Sequence, residues 1–196
     1  MTDERTPPRD ADRALVQAVL AGQGGAFARL VAQHQRLVWH VVQRLVLGTE
    51  DTRDLCQETF LRVHRQLHQY RFESSLATWI GRVAYSIALR HLEKRRVALV
   101  DPADDALAQA LHEAVASPLD LEASVSDAQA QRLLHAAIEA LPPLPRTLLT
   151  LYHLEELSIA EITHITGLPA GTVKSHLFRA RARLKQALAP QLGEPP

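Results

Sequence analysis

Leu157-Ser-Ile-Ala-Glu-Ile-Thr-His-Ile-Thr-Gly-Leu-Pro-Ala-Gly-Thr-Val-Lys-Ser-His-Leu-Phe-Arg-Ala-Arg-Ala-Arg-Leu-Lys185 decides the fold of this chain. It reads as a short helix, a turn at Gly167 and a second helix rich in cations, the helix-turn-helix arrangement whose second helix enters the DNA major groove. Gly167 supplies backbone freedom for the turn, and Pro169 suits the first position of the next helix. Val173, Leu177, Ala180, Leu184 and Leu188 recur at helical spacing and predict one buried stripe. Ser175, Phe178, Arg179 and Ala182 fall on the opposite face, flanked by Thr172 and Lys174. Between Ile165 and Lys185 there are five Lys or Arg residues and no acid, a charge pattern suited to phosphate. Phe178, opposite the stripe, needs an apolar partner, either another helix or a base edge such as a thymine methyl. Thr163 stands where such motifs carry alanine; it fits if its hydroxyl bonds back to the preceding turn.

The chain has 196 residues, 46% of them hydrophobic, and a formal net charge of zero. That balance hides a strong segregation. Trp79 to Arg96 carries five cations against Glu93 alone, whereas Val97 to Gln131 holds seven acids and no Lys or Arg. Two basic helical blocks are thus separated by an acidic connector. The single Cys56 excludes an internal disulfide and fits a reducing compartment. The charged N-terminus is unlike a signal peptide, and no apolar run approaches the roughly 18 residues that span a membrane. A cytoplasmic location is expected.

Upstream of the connector the periodicity is helical throughout. Asp10 to Leu20 predicts a first helix, ended near Gly22-Gln-Gly-Gly25. Leu30, Val31, Leu37, Val38, Val41, Val42 and Leu45 line a second, which Gly48-Thr-Glu-Asp51 breaks. A third, from about Thr52 to Gln69, buries Leu55, Phe60, Val63 and Leu67 and exposes Asp54, Gln57, Glu58, Arg62 and Arg65. After a loop over Tyr70 to Ser75, with Ser74 or Ser75 as cap, a fourth runs to Arg96. Its expected inner face is Leu76, Ile80, Val83, Ile87 and His91, with Thr78, Arg82, Tyr85 and Glu93 outward. Asp101-Pro-Ala-Asp-Asp105 and Ser117-Pro-Leu-Asp120 mark a linker that has room for a short helix at 106–115. Helical periodicity returns at Leu133 and is punctuated by Pro142, Pro143 and Pro145. The fold class is all-α: two small helical domains, 10–97 and 128–190, joined by a flexible acidic linker at 98–127, the C-terminal domain being a helix-turn-helix.

Tyr70, Phe72 and Trp79 gather around the serine loop, just ahead of the cations Arg82, Arg90, Lys94, Arg95 and Arg96. Rings that stack on bases beside cations that follow phosphates are what single-stranded DNA binding requires. For Trp79 itself a core or half-core position competes with that role, and the three terminal cations also suit a helix C-terminus.

Three blocks then carry a resemblance. Gln57-Glu-Thr-Phe-Leu-Arg-Val63, Phe72-Glu-Ser-Ser-Leu-Ala-Thr-Trp-Ile-Gly-Arg-Val-Ala84 and Gly171-Thr-Val-Lys-Ser-His-Leu-Phe-Arg-Ala-Arg181 resemble bacterial sigma factors. The resemblance is to the small extracytoplasmic-function group, and it covers about Ala14–Val97 and Ala128–Leu188. It implies a factor that binds RNA polymerase core, at the coiled coil of the largest subunit and at the flap, and directs it to promoters. Asp51, Asp54, Gln57 and Glu58 would dock on the coiled coil. Tyr70, Phe72, Ser74, Ser75, Trp79, Arg82, Ser86 and Arg90 would capture the downstream, minus-ten element as melted DNA. Thr172, Lys174, Ser175, His176, Phe178 and Arg179 would read the upstream, minus-thirty-five element as duplex. Ser86 and Arg90 depart from the asparagine and aspartate that the family often carries, which bears on downstream base preference. The resemblance also implies an anti-sigma factor as a partner. In the family the linker threads toward the polymerase channel, where Asp101 to Asp127 would imitate nucleic acid.

No cofactor or metal is expected. His64 and His68 have ligand spacing but no third partner, and neither a phosphate loop nor a Ser/His/Asp pattern occurs. The competing reading is a stand-alone helix-turn-helix regulator with a helical sensor or dimerisation domain. It would bind paired half-sites by itself.

Overall fold

The computed structural model describes residues 9–99 and 127–189. The expected linker over Asp101 to Ser126, including the short helix at 106–115, and the tail from Pro190 lie outside the described residues. Eight α-helices occur among the described residues, and no strand. They are α1 (Arg9–Leu20), α2 (Ala26–Val46), α3 (Thr49–Gln66, prolonged by a 3-10 turn over Leu67–Gln69), α4 (Leu76–Leu99), α5 (Asp127–Glu139), α6 (Pro143–His153), α7 (Ile159–Thr166) and α8 (Ala170–Leu188).

Helix α2 is the axis of the N-terminal half. Leu30, Val38, Val41 and Val42 on it are fully buried, and α3 and α4 pack on it through Val63, Leu76 and Ile80. Helix α1 rests on α2 and on the 3-10 turn, and the Asp12 carboxylate accepts the Leu76 N–H at 2.9 Å, capping α4 from a helix 64 residues away. Ser75 is the local cap: its hydroxyl accepts the Thr78 N–H at 3.1 Å. Helix α3 begins at Thr49, earlier than the sequence suggests, because the break is confined to Leu47, at φ 62°, and the extended Gly48. The C-terminal half packs α5, α6 and α7 around α8, with Leu148, Leu151, Ile162, Val173 and Ala180 at its centre.

The two halves share one core. Helix α6 lies on α2, and α7 lies on α4. This overturns part of the expected α4 pattern. Thr78 and Tyr85, read as outward, are buried, and His91, read as inward, keeps 26% of its side chain exposed. Helical spacing explains the first two, since both share a face with Gly81. Gly81 meets α7 so closely that a Cβ there would stand 3.0 Å from Ile165 Cδ1. His91 turns instead toward Asp51 on α3, at 3.7 Å.

Candidate nucleic-acid interface

The helix-turn-helix is built as its residues dictate. Ser158 and Glu161 form a reciprocal capping box: the Ser158 hydroxyl accepts the Glu161 N–H, and the Glu161 carboxylate accepts the Ser158 N–H. Gly167 closes α7 at φ 74°, a left-handed conformation that costs a residue with Cβ about 1 kcal/mol or more. Pro169 is the cap residue before α8, one position earlier than expected. Thr163 departs from the expectation as well. Its Oγ1 is buried with no hydrogen-bond partner among the described residues, whereas Thr166 makes the back-bond, to the Ile162 carbonyl at 2.8 Å.

The stripe of α8 is buried at Val173, Leu177 and Ala180 and half-buried at Leu184 and Leu188. On the other side Lys174, Ser175, Phe178 and Arg179 are exposed, and Thr172 and His176 are half-buried. Phe178 is 73% exposed, and no helix among the described residues covers it. The Ser175 hydroxyl donates to the Gly171 carbonyl at 2.9 Å, so it can accept from a base as it stands but must rotate to donate to one. Burial, with Arg179 second, lowers the His176 pKa and so favours its neutral form. Arg181 is fixed differently. Its guanidinium lies over the Tyr152 ring at 5.3 Å and donates to His153, which ties α8 to α6.

The aromatic loop is a second cluster. Tyr70 is buried beneath it, ring centroids 4.6 Å from Phe72 and 5.4 Å from Trp79, with its hydroxyl donating to the Ser74 carbonyl. Phe72 sits at φ 60°, half-buried, with the Arg13 guanidinium 5.1 Å over its ring. Strain of this kind in a bulky residue is a mark of functional loops. Trp79 is half-buried. Beyond it Arg82 and Arg90 are exposed, and the Ser86 hydroxyl bonds its own helix at Val83. Ser75 is committed to capping.

On α3, Asp54, Gln57 and Glu58 are exposed. Asp51 is engaged by Arg95 of α4 at 2.9 Å, and Glu58 by Arg62 one turn on, at 3.4 Å. Beside Gln57 a groove of about 670 Å³ runs between α2 and α3, lined by Phe27, Val31, Trp39, Phe60 and Leu61. Cys56 lines it too, and burial pushes its thiol pKa up to about 11. His64 turns edge-on to Phe27 at 4.8 Å.

Residues 30–97 match the family described as sigma-70 region 2, and residues 131–184 the one described as sigma-70, region 4. The chain is 32% identical to the RNA polymerase sigma-H factor of Pseudomonas aeruginosa, over 95% of its own length and 98% of the relative's. It is 33% identical to the ECF RNA polymerase sigma-E factor of Escherichia coli K12, over 91% and 95%. This chain belongs to the extracytoplasmic-function group of the sigma-70 family. Two solved structures share the fold of this sigma factor. CnrH in complex with the cytosolic domain of CnrY superposes with a TM-score of 0.61 at 21% identity, over 92% of this chain and 99% of that one. RpoE in complex with the anti-sigma factor NepR from Bartonella quintana does so at 0.60 and 18%, over 84% and 97%. The stand-alone regulator gives way to a transcription initiation factor, since both sigma regions are present in order. Among the described residues no helix is long and apolar enough to cross a membrane.

Sequence reasoning missed Arg13, Asp12, Arg36, His40, Arg146 and Glu155, each of which joins segments distant in the chain. Ser158-x-x-Glu161 was the one missed feature with a local signal, the capping-box pattern.

Proposed function

We propose that this sigma factor binds RNA polymerase core through the α3 face and its groove, and reads a promoter at two places. The α2–α3 groove, flanked by Gln57 with Asp54 and Glu58 on the same helix, supplies apolar contact and negative charge for the polymerase coiled coil. Helix α8 enters the major groove of the upstream element with Lys174, Ser175, Phe178 and Arg179 foremost and Thr172 and His176 at the flanks. Phe72, Trp79 and the loop serines receive the melted downstream element, with Tyr70 as the floor beneath them and Arg82, Ser86 and Arg90 along the strand. Residues 10–97 and 128–190 act as the two domains and 98–127 as their tether. An anti-sigma factor, the partner named for RpoE of Bartonella quintana, is the regulator that fits. The chain acts in the cytoplasm and carries out no catalytic step of its own.

The carrying observation is the face of α8, where a largely exposed phenylalanine stands among exposed cations with no acid. Each domain offers few phosphate contacts, so each alone binds DNA weakly and in a salt-sensitive way. Tethering both to polymerase makes the second contact intramolecular. The test is reconstituted transcription with bacterial core polymerase and a pool of promoter fragments, reading RNA 5′ ends. Chain-dependent starts that share two spaced motifs are expected. A gel shift of duplex DNA without polymerase, and no starts with it, refutes the proposal.

A further inference from the structure

The contact between the two halves is held by few polar groups and opposed by others. Glu155, in the loop after α6, accepts from His40 Nδ1 at 2.5 Å and pairs with Arg36 Nε at 3.3 Å. Arg36 also donates to the Leu154 carbonyl at the end of α6, at 3.3 Å. The next residue, Glu156, stands at φ 52°, a left-handed backbone that a non-glycine residue adopts at a cost. Further along the same contact, Arg146 is fully buried and donates to the Arg44 and Glu139 carbonyls. Arg44 is itself buried, so two like charges lie in one low-dielectric contact, only partly offset by the charge of Glu139, and no carboxylate among the described residues is hydrogen-bonded to Arg146. Arg146 Nη2 and Arg44 Nε have no hydrogen-bond partner among the described residues. Each such orphan works against the closed packing. Arg36 and His40, which hold Glu155, also line the α2–α3 groove beside Gln57, Phe60 and Leu61. One pair of side chains therefore serves two surfaces.

We propose that Glu155 is a latch that holds the domains together in the free chain, and that a polymerase segment entering the groove takes Arg36 and His40 and so frees the C-terminal domain. The second half of this inference rests on the polymerase-docking reading above. Two promoter elements apart on DNA cannot be engaged by domains that share one apolar core, so the free and promoter-bound arrangements differ. A closed state lowers apparent affinity for core by the fraction of chains that are open, and removing the latch returns that factor. Arg36 is 68% exposed and its pair is weak, whereas Glu155 is 13% exposed; of the two pairs that Glu155 makes, the half-buried His40–Glu155 bond is the stronger, and it adds to the apolar packing between the halves.

The test uses the full chain with fluorophores at Gln23→Cys and Gln186→Cys, both exposed sites, with Cys56 replaced by serine. Single-molecule energy transfer reads the distance between domains. The free chain is expected in one short-distance population, and Glu155→Gln is expected to raise the long-distance population roughly tenfold and tighten binding to core polymerase by a similar factor. Gly81→Leu, which wedges the α4–α7 contact without touching Glu155, should open the chain as well. Unchanged helicity by circular dichroism excludes unfolding as the cause. Saturating core polymerase should lengthen the distance in the unsubstituted chain. If Glu155→Gln and the free parent chain give the same distances, the latch is wrong. If polymerase co-elutes with the chain and the short distance persists, the coupling is wrong while the docking reading stands. If polymerase does not co-elute at all, the docking reading fails and the coupling with it, while the free-chain distances still decide the latch.

Discussion

Replacing Phe178 by alanine separates a DNA-reading face from a packing face. Phe178 is 73% exposed, and a phenylalanine side chain presents about 200 Å² when free, which leaves about 150 Å² open to solvent. At roughly 25 cal/mol per Å², full coverage of that area is worth at most about 4 kcal/mol. A base edge in the major groove covers one side of the ring, so about 1.5–2 kcal/mol is expected. That is a loss of roughly 10- to 30-fold in affinity for the upstream element. Stability should move by no more than about 0.5 kcal/mol, as for other exposed positions. Fluorescence anisotropy of the chain–polymerase complex on promoter duplex measures the first quantity and urea unfolding the second. A loss of 2 kcal/mol in stability with unaltered DNA affinity would show that Phe178 covers a helix, and the interface would have to be placed elsewhere. Arg179→Ala provides the contrast. As a phosphate or base-edge cation it should weaken binding with a reduced salt slope, which Phe178→Ala leaves intact.

Ser158→Ala removes the capping box of α7 and should cost about 1 kcal/mol, read as a fall of about 2–4 °C in the melting temperature; no change would mean that water replaces the cap at no cost. His34 is half-buried and Nε2 has no partner among the described residues, so burial lowers its pKa despite the opposing influence of Asp12. The folded state disfavours its charged form; this stability is present above the unfolded value of 6.5 and is lost as pH falls below it. His34→Gln should flatten the stability profile between about pH 5 and 7, and an identical slope would assign the acid sensitivity to other groups. Cys56, with its thiol pushed up to about 11, should react slowly with a disulfide reagent at pH 8 and faster in urea. Core polymerase seated in the groove should slow it further, and an unchanged rate would argue against that docking site.

Legibility followed the range of the interactions. The recognition helix could be read because its signal is local. A buried stripe, a left-handed glycine and a run of cations all fall within about thirty residues, and α8 carries them where the spacing put them. The cap at Ser75 was legible for the same reason. The errors on α4 have another origin. Spacing identifies one apolar face, but α4 is covered by α2 and α3 and again by α7, so it has more than one inner face, and Thr78 and Tyr85 are buried where the spacing put them outward. No local pattern could announce that Asp12 caps α4, that Arg13 covers Phe72 or that Glu155 meets His40 across 115 positions. Those long-range polar contacts are also the ones that change the functional argument. Read as two independent domains on a tether, the chain needs only its surfaces to explain promoter selection. With a shared core that includes an arginine held by carbonyls and a glutamate bridging to residues of the α2–α3 groove, separation of the domains becomes a step with its own free energy. Polymerase binding, and any partner that competes for the groove, then acts on promoter recognition through that step.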